Sequence, residues 1–241
     1  MAEGRDGFVF PVINSDLCIG CGACTRACGL NRGIGSNSVG PFFAAAGRDD
    51  VSESASGGVF GAFARELIAS GGVAYGAAYE REGSILRVRH RRAASVDGLR
   101  PLLNSKYVQS DAGACFADVK ADLREGRQVL FCGTPCQVAG LRGFLGGDYE
   151  NLTTVDLVCH GVPSSRMFAD CVEGYGRQLG SPVVDFRFRC KREGWDNSLL
   201  LFLLLEDGRE VTIPAAKSPY YDMFLDLKTL RDSCYRCPYA G

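Results

Sequence analysis

Eight of the twelve cysteines in this 241-residue chain stand at spacings that constrain the fold more than any other feature. Four are packed into Cys18-Ile-Gly-Cys21-Gly-Ala-Cys24-Thr-Arg-Ala-Cys28, a C-x2-C-x2-C-x3-C array. Two-residue spacers let successive thiolates point at one centre, which is what a cubane iron–sulfur cluster requires. Gly20 and Gly22 lower the steric cost of so tight a turn and leave N–H groups free for cluster sulfurs. Zinc sites more often separate two C-x2-C pairs by a dozen residues or more. The array therefore predicts a [4Fe–4S] cluster on Cys18, Cys21, Cys24 and Cys28, with a zinc knuckle as the competing reading.

The remaining composition is that of a globular chain, 46% hydrophobic and 23% charged. A net charge of −1 makes no electrostatic case for nucleic acid or an anionic membrane. The longest apolar run, Leu199 to Leu205, is far too short to span a bilayer. The opening Met-Ala-Glu-Gly-Arg-Asp-Gly carries no apolar signal segment. So many cysteines without an export signal read as metal thiolates in a reducing compartment, and the expected location is cytoplasmic.

Residues 1–35 read as a ferredoxin-type segment, followed by a Gly-, Asn- and Ser-rich stretch over 31–50. Residues 50–241 read as the main domain. Val59, Phe60, Phe63, Ala64 and Leu67 recur at helical spacing after Ser54-Ala-Ser-Gly-Gly58, and Ser54 or Ser56 is the expected cap. A small-residue strand follows over 72–79, with a partner over 85–90. A helix over 111–125 precedes the buried strand Gln128 to Cys132. The loop Gly133-Thr-Pro-Cys136 then opens a helix bearing Val138, Leu141, Phe144 and Leu145. A strand over 152–158 runs into Cys159-His-Gly-Val-Pro163, and 164–179 is again helical.

Successive strand–loop–helix units predict an α/β fold with a mixed, partly parallel sheet and crossover helices. Three strand-like stretches follow (183–189, 198–205 and 210–213), the last two joined by a hairpin turn at Asp207-Gly208. Ser218-Pro219 starts a helix with Met223, Phe224 and Leu227 expected inward.

Cys136 and Cys159 each follow a strand at the carboxyl edge of the predicted sheet, where open α/β sheets bind ligands. Cys234-Tyr-Arg-Cys237 supplies a further pair. Spacing alone leaves two readings open: one four-thiolate site, or buried small residues plus an independent dithiol. Cys115, Cys132, Cys171 and Cys190 have no ligand-like spacing and read as core.

Several stretches, in order, resemble the β subunits of coenzyme F420-reducing hydrogenases and dehydrogenases and their bacterial relatives. They are Ser54-Ala-Ser-Gly-Gly58, Asn104-Ser-Lys-Tyr-Val-Gln-Ser110, Val129 to Val138, Asp156 to Ser164, Phe188 to Trp195, and Arg231 to Cys237. The resemblance implies a flavin- and iron–sulfur-dependent oxidoreductase or electron-transfer subunit. In such a protein Cys136, Cys159, Cys234 and Cys237 would ligate a second [4Fe–4S] cluster beside FAD. It also implies flavin contacts at Ser56, Gly57, Gly58, Ser105, Lys106, Tyr107, Thr134 and Lys191.

In this reading Gly57-Gly58 at a helix start suits a pyrophosphate, and Lys106 and Lys191 add positive charge near it. Trp195 would wall the pocket or fill the core, and His160 would orient its loop or relay protons. The hydride carrier is F420 or another soluble acceptor or donor, and a redox partner protein or subunit is implied. In two-cluster ferredoxins the fourth cysteine of such an array serves the other cluster, so Cys28 is open to either assignment. Gly29 stands where such arrays usually carry Pro. Relatives continue beyond the C-x2-C pair, so the resemblance implies a fragment at one or both ends. The rival functions are a non-catalytic electron-transfer module, a zinc-stabilised binding module and a defective remnant of the family.

Overall fold

The computed structural model describes residues 2–31, 47–191 and 199–239. Trp195, Ser198 and most of the 31–50 stretch lie outside these residues. In chain order the elements are β1 (Ala2–Glu3), β2 (Val9–Phe10), α1 (Ala23–Ala27), α2 (Arg48–Ser52) and α3 (Val59–Ala69). Then come β3 (Val73–Glu82), β4 (Ile85–Ala93), α4 (Val96–Leu99), α5 (Cys115–Arg124), β5 (Val129–Gly133) and α6 (Pro135–Leu145). The last group is β6 (Leu152–Asp156), α7 (Ser165–Leu179), β7 (Val183–Cys190), β8 (Leu200–Leu205), β9 (Glu210–Pro214) and α8 (Pro219–Leu225).

The main sheet has the order β4-β3-β5-β6. β3 pairs antiparallel with β4 and parallel with β5, and β5 pairs parallel with β6. This is the mixed α/β sheet expected from the sequence, with α6 as the crossover between β5 and β6. Side chains alternate across it, as the two-residue period of a strand demands. Val73, Tyr75, Val129 and Phe131 pack with α5 and α6 through Val119, Leu123, Val138 and Leu141. Ala74, Ala78 and Leu130 face the other way, onto Ala64 of α3 and Leu99. The alanines of β3 let α3 approach closely.

A second, antiparallel sheet has the order β7-β8-β9. Its β8–β9 hairpin turns at Gly208, whose φ of 85° admits glycine readily. With α7 and α8 it forms an aromatic core containing Phe168, Phe186, Phe188, Tyr220 and Tyr221. Ser218 caps α8 as expected, its Oγ accepting from the Tyr221 N–H at 3.3 Å. Tyr220, Tyr221 and Phe224 are the inward residues of that helix. Met223 and Leu227, expected inward, are exposed: Met223 lies off the narrow stripe taken by Tyr220, Tyr221 and Phe224, and Leu227 falls beyond the end of α8 at a φ of 57°. Phe144 of α6 is likewise exposed. Among the described residues no helix is long and apolar enough to cross a membrane.

A buried polar cluster ties β3 to α5. The Tyr75 hydroxyl donates to Asp122 Oδ2 at 2.5 Å, and Arg92 clamps the same carboxylate at 2.7 and 3.0 Å. Burial opposes ionisation of Asp122, but the bonds from Arg92 and Tyr75 hold its carboxyl below the ordinary range.

Candidate functional site

β5 and β6 lie side by side in register, with Gly133 opposite Asp156. The loops leaving their carboxyl ends therefore begin next to each other, and each carries one cysteine. Thr134 starts α6 and Pro135 takes its first position, where a missing N–H costs nothing. Gln137 Oε1 accepts from the Thr134 N–H at 3.0 Å and from its hydroxyl at 3.1 Å, closing the turn. Cys136 thus stands in the first turn of α6, beside backbone N–H groups that have no partner within the helix. The Thr134 hydroxyl lies 3.2 Å from Cys136 Sγ, which puts this residue beside the thiol.

After β6, the chain turns through Cys159 to Gly161, whose N–H points at Cys159 Sγ at 3.4 Å. The backbone there meets the C-terminal pair. Arg231 N–H donates to Val162 O at 3.0 Å, and a Cβ at Gly161 would lie 3.2 Å from Cys234 Cβ. Cys234 sits in a short 3-10 helix, Asp232–Arg236, and Cys237 caps it. Cys136, Cys159, Cys234 and Cys237 come within electrostatic reach of one another. Burial pushes the Cys159 and Cys234 thiols up, the neighbouring thiolates push further, and backbone hydrogen bonds from Gly161 and Val162 pull back. Thiols that resist joint ionisation suit a cationic iron core, which removes the repulsion once bound. Among the described residues, no three Cys, His, Asp or Glu side chains converge as they would on a single ion. A cubane carries its thiolates on four separate irons.

The N-terminal array turns through Gly20 and Gly22, at φ 69° and 68°. Cys18, Cys21 and Cys24 are exposed and Cys28 is half-buried. Arg26 Nη1 donates to Cys21 O at 2.8 Å, pinning the loop.

Of the residues that the resemblance assigns to flavin, Ser56, Gly57 and Gly58 lie at the start of α3. Gly58 caps this helix at φ 76°, and a Cβ there would strike the Asp50 backbone at 2.7 Å. Contrary to expectation, neither Ser54 nor Ser56 caps α3. The Ser54 hydroxyl donates instead to Ser56 O at 2.7 Å, leaving the first N–H groups of α3 without a side-chain cap. Gly57 is exposed, with open space where a side chain would be. Lys191 Nζ donates to Val51 O and Ser56 O at 2.8 and 2.6 Å, so β7 holds this loop from the opposite side. Asn104, at φ 73°, donates to Glu53 O at 3.4 Å, and the Ser105–Tyr107 segment follows directly.

Lys106 donates to Pro101, Leu103 and Asn104 carbonyls at 2.6–3.1 Å. Burial pushes this lysine down to about 7. Carbonyls only accept, however, so the three bonds favour the ammonium form. Tyr107 packs into the aromatic core, its ring 5.2 Å from Phe188 and 4.9 Å from Phe224.

His90, which no motif distinguished, is buried beside β5. Its Nε2 faces Cys132 O at 3.0 Å and its Nδ1 faces Ser110 Oγ at 2.7 Å. A carbonyl requires a donor, so Nε2 carries the proton and Nδ1 accepts from Ser110. Burial lowers this imidazole to about 4, so it is neutral at physiological pH. His160 is exposed.

Residues 126–240 match the family model for the C terminus of the coenzyme F420 hydrogenase/dehydrogenase beta subunit, and residues 11–31 match the 4Fe-4S binding domain. The two matched segments contain all eight cysteines of the candidate sites. Among solved structures, the chain is similar to one in the xenon-derivatised F420-reducing [NiFe] hydrogenase complex from Methanosarcina barkeri. The TM-score is 0.50 at 17% identity, over 80% of this chain and 63% of that one, so the chain spans less than two thirds of its length. At that identity the likeness is one of fold. No curated protein matches the chain.

Proposed function

We infer, from the membership of residues 126–240 in the coenzyme F420 hydrogenase/dehydrogenase beta-subunit family and of residues 11–31 in the 4Fe-4S binding domain family, that this chain is an iron–sulfur electron-transfer protein that also carries flavin. Its working parts are a ferredoxin-type segment over 1–35 and a flavin/iron–sulfur domain over 50–241. Cys18, Cys21, Cys24 and Cys28 hold one [4Fe–4S] cluster, and Cys136, Cys159, Cys234 and Cys237 hold the other. The observation that supports the reading is that these last four thiols, from three distant stretches, come within electrostatic reach of one another beyond the carboxyl ends of β5 and β6.

When bound, FAD supplies the conversion between hydride and single electrons, and the clusters supply one-electron carriers. The protein's own groups hold and tune. The α6 N-terminus, Gly161 N–H and the Val162 backbone direct positive dipoles at the inner thiolates, which favours the more negative, reduced state. Ser56, Gly57 and Gly58 offer uncapped N–H groups to a phosphate. Lys191 keeps that loop in place, and Ser105–Tyr107 supports it through Asn104. F420 or another soluble hydride carrier is the proposed exchange partner, with a redox protein or subunit on the electron side. The proposed compartment is the cytoplasm.

The test is anaerobic purification with iron, sulfide and flavin measured against protein. The expected result is two clusters' worth of iron, at roughly four per cluster, together with flavin. Cys21→Ser should remove one cluster and leave flavin bound. Cys159→Ser should remove the other and stop flavin reduction by an electron donor. Zinc without iron would overturn the reading in favour of a structural module. Flavin and iron without turnover of F420 or a nicotinamide would reduce it to a carrier that feeds a partner enzyme.

A further inference from the structure

The helix that presents Cys136 also has a second occupant. Along α6, Cys136, Ala139, Gly140 and Gly143 recur at positions i, i+3, i+4 and i+7, so their small side chains share one stripe. The end of the N-terminal array lies against this stripe. A Cβ at Gly143 would sit 2.6 Å from Ala27 O and 2.9 Å from Ala27 Cα. Conversely, a Cβ at Gly29 would sit 2.7 Å from Cys136 O, 2.9 Å from Ala139 Cβ and 3.0 Å from Gly140 N. Backbone therefore rests on backbone, with no room for a side chain at either glycine. This accounts for Gly29 where ferredoxin-type arrays carry Pro, since the pyrrolidine ring would need the same space.

A third element closes the junction. The Tyr239 hydroxyl donates to Gly29 O, two residues beyond Cys237. The thiols that act electrostatically on Tyr239 are Cys136, Cys237 and Cys28, so this residue stands near members of both cysteine sets. Cys28, half-buried, is the member of the array that turns toward the domain, while its three companions are exposed.

We propose that Gly29, Gly143 and Tyr239 form a fixed junction that sets the spacing of the two clusters and makes them one electronically coupled pair. The junction rests on the two-cluster reading given above. Its three residues are positioning residues and take no part in ligation. Small residues keep the electron path through a single layer of backbone, and the Tyr239 hydrogen bond prevents the N-terminal segment from rocking on α6.

The test is electron paramagnetic resonance of the fully reduced holoprotein, with iron and sulfide quantified in the same samples. Wild type should show splitting or broadening from two interacting paramagnetic clusters. Gly143→Ala should lose that splitting while keeping both clusters' iron, because the added methyl pushes Ala27 off the helix. Tyr239→Phe, which keeps the ring and removes the hydroxyl, should weaken the splitting in the same direction without altering fold or iron content. Two clusters' worth of iron with the sum of two isolated spectra in wild type would overturn the junction alone. Unchanged splitting in both variants would do the same. One cluster's worth of iron would overturn the two-cluster reading itself.

Discussion

Gly161 approaches Cys234 so closely that a Cβ on the glycine would lie 3.2 Å from the cysteine's own Cβ, and 2.6 Å from Leu230 Cδ1. Its φ of 115° is also a conformation that side-chain-bearing residues rarely adopt. Two independent costs thus fall on one position, between Cys159 and the C-terminal pair. Gly161→Ala is expected to displace Cys234 from Cys159. Iron and sulfide should fall by about one cluster's worth while the N-terminal cluster's spectrum is retained. Full iron content in this variant would separate the C-terminal pair from the inner site.

Lys191, directly after β7, holds α2 and the loop before α3 through Val51 O and Ser56 O. Lys191→Met keeps the length of the side chain and removes the donor. The expected outcome is a loop that no longer presents Ser56–Gly58 in one geometry, read as at least a tenfold weaker hold on flavin (about 1.4 kcal/mol). Iron content should be unchanged. Equal flavin retention after dialysis would move the flavin away from this loop.

His90 makes stability depend on pH. Its folded value near 4 lies below the unfolded 6.5, so above pH 6.5 the imidazole is neutral in both states and contributes no dependence. Between 6.5 and 4 the unfolded chain binds the extra proton, and stability falls with falling pH by up to about 3 kcal/mol. His90→Gln should flatten that decline while leaving the neutral-pH slope alone. Parallel wild-type and variant curves in denaturant titrations across this range would contradict the buried neutral imidazole.

Asp122 is a buried acceptor shared by Tyr75, Arg92 and Arg127. Asp122→Ala leaves a buried hydroxyl and a partly buried guanidinium without their acceptor, and is expected to cost about 3 kcal/mol in denaturant titration. Asp122→Asn should cost less, since its carbonyl still accepts. A loss below about 0.5 kcal/mol for the alanine variant, in the range of a surface substitution, would show that water replaces these bonds freely.

Local order was legible wherever chemistry repeats over a few residues. The C-x2-C-x2-C-x3-C array, the Ser218-Pro219 helix start, the Asp207-Gly208 turn and the strand–loop–helix unit around Gly133-Thr-Pro-Cys136 all read directly from spacing, because each depends on neighbours in the chain. Parallel strands joined by crossover helices were legible from the alternation of elements, but the order β4-β3-β5-β6 came only from the fold. The capping of α3 was not. Ser54 and Ser56 are adequate caps on intrinsic preference, but the loop folds back on itself and onto Lys191, a residue more than a hundred positions away. His90 and the small stripe of α6 stayed silent because a buried histidine or a glycine looks ordinary until its neighbour across space is known.

By itself, then, the amino-acid order determined which segments turn, where strands and helices alternate and which cysteines stand at ligand-like spacings, since these follow from backbone freedom and short-range sterics. Only the tertiary structure decided that Cys136, Cys159, Cys234 and Cys237 come within electrostatic reach of one another, and that Gly29 rests on the helix bearing Cys136. Such meetings depend on the register of β5 against β6 and on close approach of backbones, neither of which is encoded at any single position.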